Sequence, residues 1–229
     1  MNSAGSVHRF IRVLGGLLIA VSLAVAADWS RGQTSDSASQ SASQSAPNAS
    51  LLAGAALLEA LRRGGYVLYF RHTSTDFSKN DDAMTGYEDC ASQRNLTEAG
   101  RAEARAIGAA MRKLAIPIGD VLASPFCRTR ETGELIFGRA RVDAAVRGGP
   151  AQANPERYAE LRGLLARPMQ GGVNLAITSH GNPFAAVAGT PYLAEGEAAV
   201  IEPLGANGFR VVARIRKDEW TRLQPGSPP

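Results

Sequence analysis

A chain of 229 residues, 45% apolar and 20% charged, suits one globular domain of the usual ~100–200 residues plus some extra length. The formal charge of +4 is modest, and no basic run is interleaved with aromatic residues, so nucleic-acid binding is not the expected role. The two cysteines are too few for a disulfide-rich miniature scaffold.

The extra length lies at the front. Residues 1–26 carry His8, Arg9 and Arg12, then an apolar stretch from Val13 to Val25 and the small residues Ala24-Val25-Ala26. That is the layout of a secretory signal cleaved after Ala26 or Ala27, with an uncleaved anchor as the alternative. The apolar stretch is shorter than the ~20 residues of an ordinary membrane span, so no stable span is expected once the signal is removed. Residues 27–50 include the run S-D-S-A-S-Q-S-A-S-Q-S-A-P-N-A-S, which has nothing to bury and reads as a flexible linker. The expected location is periplasmic or secreted.

The folded part is expected over residues 51–223, with a frayed tail at 224–229. Leu51–Arg63 reads as a helix with Leu52, Leu57, Leu58 and Leu61 on one face, ending at Gly64-Gly65. The apolar run Tyr66–Phe70 reads as a strand buried on both faces, and it ends abruptly in Arg71-His72. Thr73–Asn95 is a long polar loop, of the kind that borders a pocket. Thr97 is the expected N-cap of a helix to about Leu114, and Val121–Ala123 is a short strand leading into Ser124-Pro125 and Arg128. A strand that stops before a helix leaves backbone N–H groups and the positive dipole end beside Arg128, an anion site. Pro155–Ala166 reads as helix, Val173–Ser179 as a second buried strand delivering His180, Pro183–Gly189 as helix, and Ala198–Ile201 and Phe209–Ile215 as strands. Alternating strands and helices predict a single α/β domain with a mostly parallel central sheet flanked by helices. In such sheets ligands bind beyond the carboxyl ends of strands, where Arg71, His72 and His180 would stand.

Y-V-L-Y-F-R-H-T, followed by S-P-F-C-R-T-R-E-T and I-T-S-H-G-N, resembles the histidine phosphatase superfamily, the group that includes the phosphoglycerate mutases, and more closely its compact phosphatase members. N-L-T-E-A-G-R-A-E-A resembles the family's L-T-x-x-G-x-x-x-A segment. The resemblance spans the chain after residue 50. It implies that His72 attacks phosphorus to give a phosphohistidine that water hydrolyses, with Arg71 and Arg128 holding the phosphoryl oxygens and His180 stabilising the group in transfer. It implies no cofactor and no metal, and a small phosphorylated substrate as partner; it says nothing of oligomeric state.

The chain departs from the family pattern in two places. Thr73 follows His72 where glycine is usual, with Ser78 and Asn80 near a customary Asn. More consequentially, the mutase-like members carry a glutamate where this chain has Asp143-Ala144-Ala145-Val146-Arg147-Gly148-Gly149. A leaving-group acid would then come from Glu197, or from Glu195, unless an activated leaving group needs none. Rival readings are an envelope protein that only binds phosphoryl ligands, and a phosphoglycerate-type mutase. In an exported protein Cys90 and Cys127 would form a disulfide tying the loop to the arginine segment, with a buried free thiol at Cys127 as the alternative.

Overall fold

The computed structural model describes residues 51–149 and 155–223; the expected signal segment, linker and tail lie outside the described residues. The described residues form one α/β domain on a six-stranded sheet of order β3-β2-β4-β1-β5-β6. The strands are β1 Val67–Arg71, β2 Ile118–Ala123, β3 Arg141–Val142, β4 Asn174–Ser179, β5 Ala198–Pro203 and β6 Phe209–Ile215. β1, β2, β3 and β4 run parallel, whereas β5 pairs antiparallel with β1, and β6 antiparallel with β5. The mostly parallel sheet is thus found, with an antiparallel hairpin completing one side.

The helices are α1 Gly54–Arg63, α2 Glu98–Lys113, α3 Cys127–Phe137, α4 Ala159–Ala166 and α5 Gly181–Ala188. Successive side chains of a strand point to opposite faces, and β1 shows the result. Leu68 and Phe70 join a core with Leu57, Leu58 and Leu61 of α1, Ile107 and Met111 of α2 and Ile136 of α3. Val67 and Tyr69 face the other core, with Leu161 and Leu165 of α4 and Phe184 of α5. Phe70 stacks on Trp220 at 5.7 Å, and burying each such ring stabilises the fold by about 1.5–3 kcal/mol.

The two Gly-Gly pairs before the histidine strands do more than end elements. Gly64 has φ 77°, and a Cβ there would lie 2.3 Å from the carbonyl carbon of Gly172. The pairs cross in contact, and the Gly65 N–H donates to Val173 O at 2.9 Å. This contact sets β1 beside β4. Buried Asn174 secures the same end: its amide donates to Leu61 O at 2.7 Å and Pro117 O at 2.9 Å, and its Oδ1 accepts from the Tyr66 N–H at 3.1 Å. The parallel register then places Arg71 opposite Ser179 and Ala123 opposite Thr178. The residues following β1, β2 and β4 therefore emerge along one edge.

Boundaries differ in small ways from expectation. β2 starts at Ile118 and α5 at Gly181, while α1 starts only at Gly54. β3 was not foreseen, because two exposed residues on an edge leave no apolar run to read.

Candidate active site

His72 is fixed before its ring is considered. Its N–H donates to Ser179 O at 3.0 Å, and its carbonyl accepts from the Gly196 N–H at 2.9 Å. The buried ring places Nδ1 2.9 Å from Thr73 O. A carbonyl only accepts, so Nδ1 carries the proton and Nε2 carries the lone pair. The imidazole pKa is lowered from 6.5 to about 3, first by burial, then by the charges of Arg128, Arg71 and Arg94, against the opposing pull of the Thr73 carbonyl. Burial, which sequence reasoning left out, outweighs the arginines.

His180 follows β4 and its ring meets that of His72 edge-on, with centroids 5.6 Å apart. Its Nε2 pairs with Ser124 Oγ at 2.8 Å, its carbonyl accepts from Tyr69 Oη at 2.9 Å, and Phe126 packs edge-on at 4.9 Å. Its pKa too lies well below 6.5, through burial first and then His72 and the three arginines. Both imidazoles are neutral at ordinary pH.

The two rings line a cavity of about 350 Å³ together with Arg71, Arg128 and Arg94. Arg71 donates to Leu193 O at 2.8 Å. Arg128, on the first turn of α3, gives Nη1 to Asp81 Oδ1 at 2.9 Å and to Arg94 O at 3.3 Å. The Nε atoms of Arg94 and Arg128 are buried with no hydrogen-bond partner among the described residues. Three guanidinium side chains around two neutral rings make the cavity favourable for an oxyanion. The expected open helix terminus is only partly available, because the Cys127 N–H donates to Gln93 Oε1 at 2.9 Å.

Sequence reasoning missed Arg94, Asp81, Asn182 and Tyr192, all of which line this cavity. Arg94 sits three residues before the helix cap Thr97, and its place just ahead of N-L-T-E-A-G was the one available signal. Its loop is held by the Cys90–Cys127 disulfide, with Cα atoms 5.7 Å apart, and by the Thr75–Leu96 bridge. Of the two readings of the cysteines, the bridge is the one found.

Neither carboxylate expected as the acid lines the His72 cavity. Glu197 does not line the His72 cavity: Oε1 accepts from Arg214 Nε at 2.7 Å, while Oε2 accepts from Arg214 Nη2 at 3.0 Å and from the Ala194 N–H at 2.7 Å. Its carboxylate anchors the turn before β5 to β6. Glu195 comes closer, 3.7 Å from His72 Nδ1 and 3.6 Å from Arg71 Nη2, but it accepts from Thr75 Oγ1 at 2.7 Å and faces a neighbouring cavity. At Gly148, within the segment where the family's glutamate was sought, a Cβ would lie 2.4 Å from His180 Cδ2. Among the described residues no group of three or more His, Cys, Asp and Glu could hold a metal, and no helix is long and apolar enough to cross a membrane.

Residues 67–149 match the family model of the histidine phosphatase superfamily (branch 1). No curated protein matches the chain. Among solved structures, the protein histidine phosphatase SixA complexed with tungstate is 19% identical, with 66% of this chain and 97% of that one covered and a TM-score of 0.48. A mycobacterial glucosyl-3-phosphoglycerate phosphatase is 17% identical over 64% of this chain and 96% of its own, with a TM-score of 0.47. The product of an open reading frame from Mycobacterium tuberculosis is 17% identical over 66% and 97%, with a TM-score of 0.48. The stretch that matches the family model contains Arg71, His72, Arg94 and Arg128, the residues that line the cavity from β1 to α3.

Proposed function

We propose that the protein hydrolyses phosphate monoesters through a phosphohistidine on His72, and that it does so outside the cytoplasm. The observation that carries the first part is a neutral imidazole, its proton held on Nδ1 by Thr73, in a cavity lined by the guanidinium side chains of Arg71, Arg94 and Arg128. A neutral ring can attack phosphorus; a protonated one cannot. Arg71, Arg94 and Arg128 hold the phosphoryl oxygens. In the tautomer whose Nε2 accepts from Ser124 Oγ, His180 keeps its proton on Nδ1 and offers one more donor. The Nε2 lone pair of His72 forms the N–P bond as the P–O bond to the leaving group breaks, and water then cleaves N–P. Catalysis rests on positioning and on preset charge.

Two features support export: the signal-like pattern of residues 1–26 and the Cys90–Cys127 disulfide, a bond that persists in oxidising compartments. Cell fractionation tests it, and a cytoplasmic pool alone would count against it.

The chemistry is tested by rapid acid and alkaline quenching during turnover of an aryl phosphate. The expected adduct is acid-labile and base-stable, and it disappears in His72→Ala along with a loss of kcat on the order of 10⁴-fold. A protein that binds phosphoryl ligands without turnover, and whose role survives His72→Ala, is the outcome that would exclude this reading.

A further inference from the structure

Phe77 is 68% and Tyr192 50% exposed, and they are the aromatic residues among the exposed large hydrophobics of the described chain. Tyr192 lines the His72 cavity itself, whereas Phe77 lines the neighbouring cavity, which shares Arg71 with it. Each ring lies against a guanidinium of the His72 cavity: Arg94 Cζ is 4.8 Å from the Phe77 centroid and Arg71 Cζ 5.5 Å from that of Tyr192. They come from different loops, and the Tyr192 loop is firmly held. Arg214 donates to Pro191 O at 2.6 Å and Tyr192 O at 2.9 Å. The Tyr192 ring lies so close over Gly181 that a Cβ there would be 1.9 Å from Cε1. The ring is therefore a fixed wall, though half of it faces solvent.

A second observation concerns protons. Expelling an alkoxide needs an acid, because alcohols resemble water, with a pKa of about 15.7. Phenols, at about 10, leave far more readily. The described residues lining the cavity include one carboxylate, Asp81, and its Oδ1 already accepts from Arg128 Nη1 and from the Arg94 N–H, each at 2.9 Å. Glu195 and Glu197 line the neighbouring cavity, and the Gly148 backbone packs too closely on His180 for a side chain.

We propose that the site is specific for aryl phosphate monoesters, whose leaving ring is held against Tyr192; this rests on the phosphatase reading above. The N–P bond to His72 forms as the P–O bond breaks, and the electron pair departs on a phenolate that takes its proton from solvent. Water then attacks phosphorus, N–P breaks, and orthophosphate leaves with one proton of that water released to solvent.

The test uses the full chain with two pairs of probes: phenyl phosphate against ethyl phosphate for turnover, and phenylphosphonate against methylphosphonate for calorimetric binding. Phenyl phosphate should have kcat/KM on the order of 100-fold higher. Phenylphosphonate should bind about tenfold tighter, and Tyr192→Ala should reduce that preference about threefold or more, whereas Phe77→Ala, in the neighbouring cavity, should leave it unchanged. Equal binding of the two phosphonates, or a preference that Tyr192→Ala does not lower, overturns the aryl site. Tighter phenylphosphonate binding without turnover of any ester supports the aryl site and rejects the hydrolase reading, so the two failures are distinguishable.

Discussion

The two ends of the parallel strands solve opposite problems. Where β1 and β4 begin, buried Asn174 uses its amide and its carbonyl oxygen on Leu61, Pro117 and Tyr66, and the crossing glycines pack backbone on backbone. Where the same strands end, two imidazoles are buried together beside the guanidinium side chains of Arg71, Arg94 and Arg128. Satisfied polar groups lock a fold, whereas a cluster of like charges favours an anion that neutralises it. One end thus specifies the sheet and the other is preorganised for an oxyanion.

The largest effect short of removing His72 should come from the ligand-facing end. Arg94→Ala should lower kcat/KM about 10²–10³-fold with little change in melting temperature, and Arg94→Lys should restore only part of it, since an ammonium lacks the planar fork. Equal activity in the alanine variant would remove Arg94 from the site. The converse substitution is Asn174→Leu, expected to cost about 2–4 kcal/mol in thermal or denaturant unfolding while kcat/KM at low temperature stays within about threefold. If activity fell as far as stability, the two ends would not be separable. The smallest effect is expected at Glu197→Gln. Breaking its pair with Arg214, both partly solvent-screened, should cost about 1–2 kcal/mol of stability and change kcat less than about threefold. A collapse of the pH–rate profile there would reinstate Glu197 as an acid.

Much of this was legible in the sequence because it is local. β1 and β4 announce themselves as unbroken apolar runs, and Arg71, His72 and His180 sit at the ends of those runs. Arg128 is marked by the Ser-Pro stop before α3. Arg94 and Asp81 were not legible, since their loop reaches the cavity only through pairings remote in sequence: the Cys90–Cys127 bridge, the hydrogen bond of the Cys127 N–H to Gln93, and Asp81 with Arg128. For Glu197, the partner was not legible for the same reason. Its nearness to β5 was visible, but the Arg214 side chain that engages it comes from the next strand over.

The central claim is that the fold holds the His72 imidazole neutral with its proton on Nδ1 before any substrate arrives. Below pH 6.5 an unfolded histidine takes up a proton that the folded ring refuses until about pH 3, so stability is full above pH 6.5 and is lost progressively as pH falls toward 3. Nitrogen-15 NMR titration of the full chain, assigned with His72→Gln, reads the ring directly. The account requires an unprotonated Nε2 and a protonated Nδ1 that persist unchanged from pH 7 to pH 5. A His72 ring that titrates near the ordinary 6.5, or that carries its proton on Nε2, would contradict it.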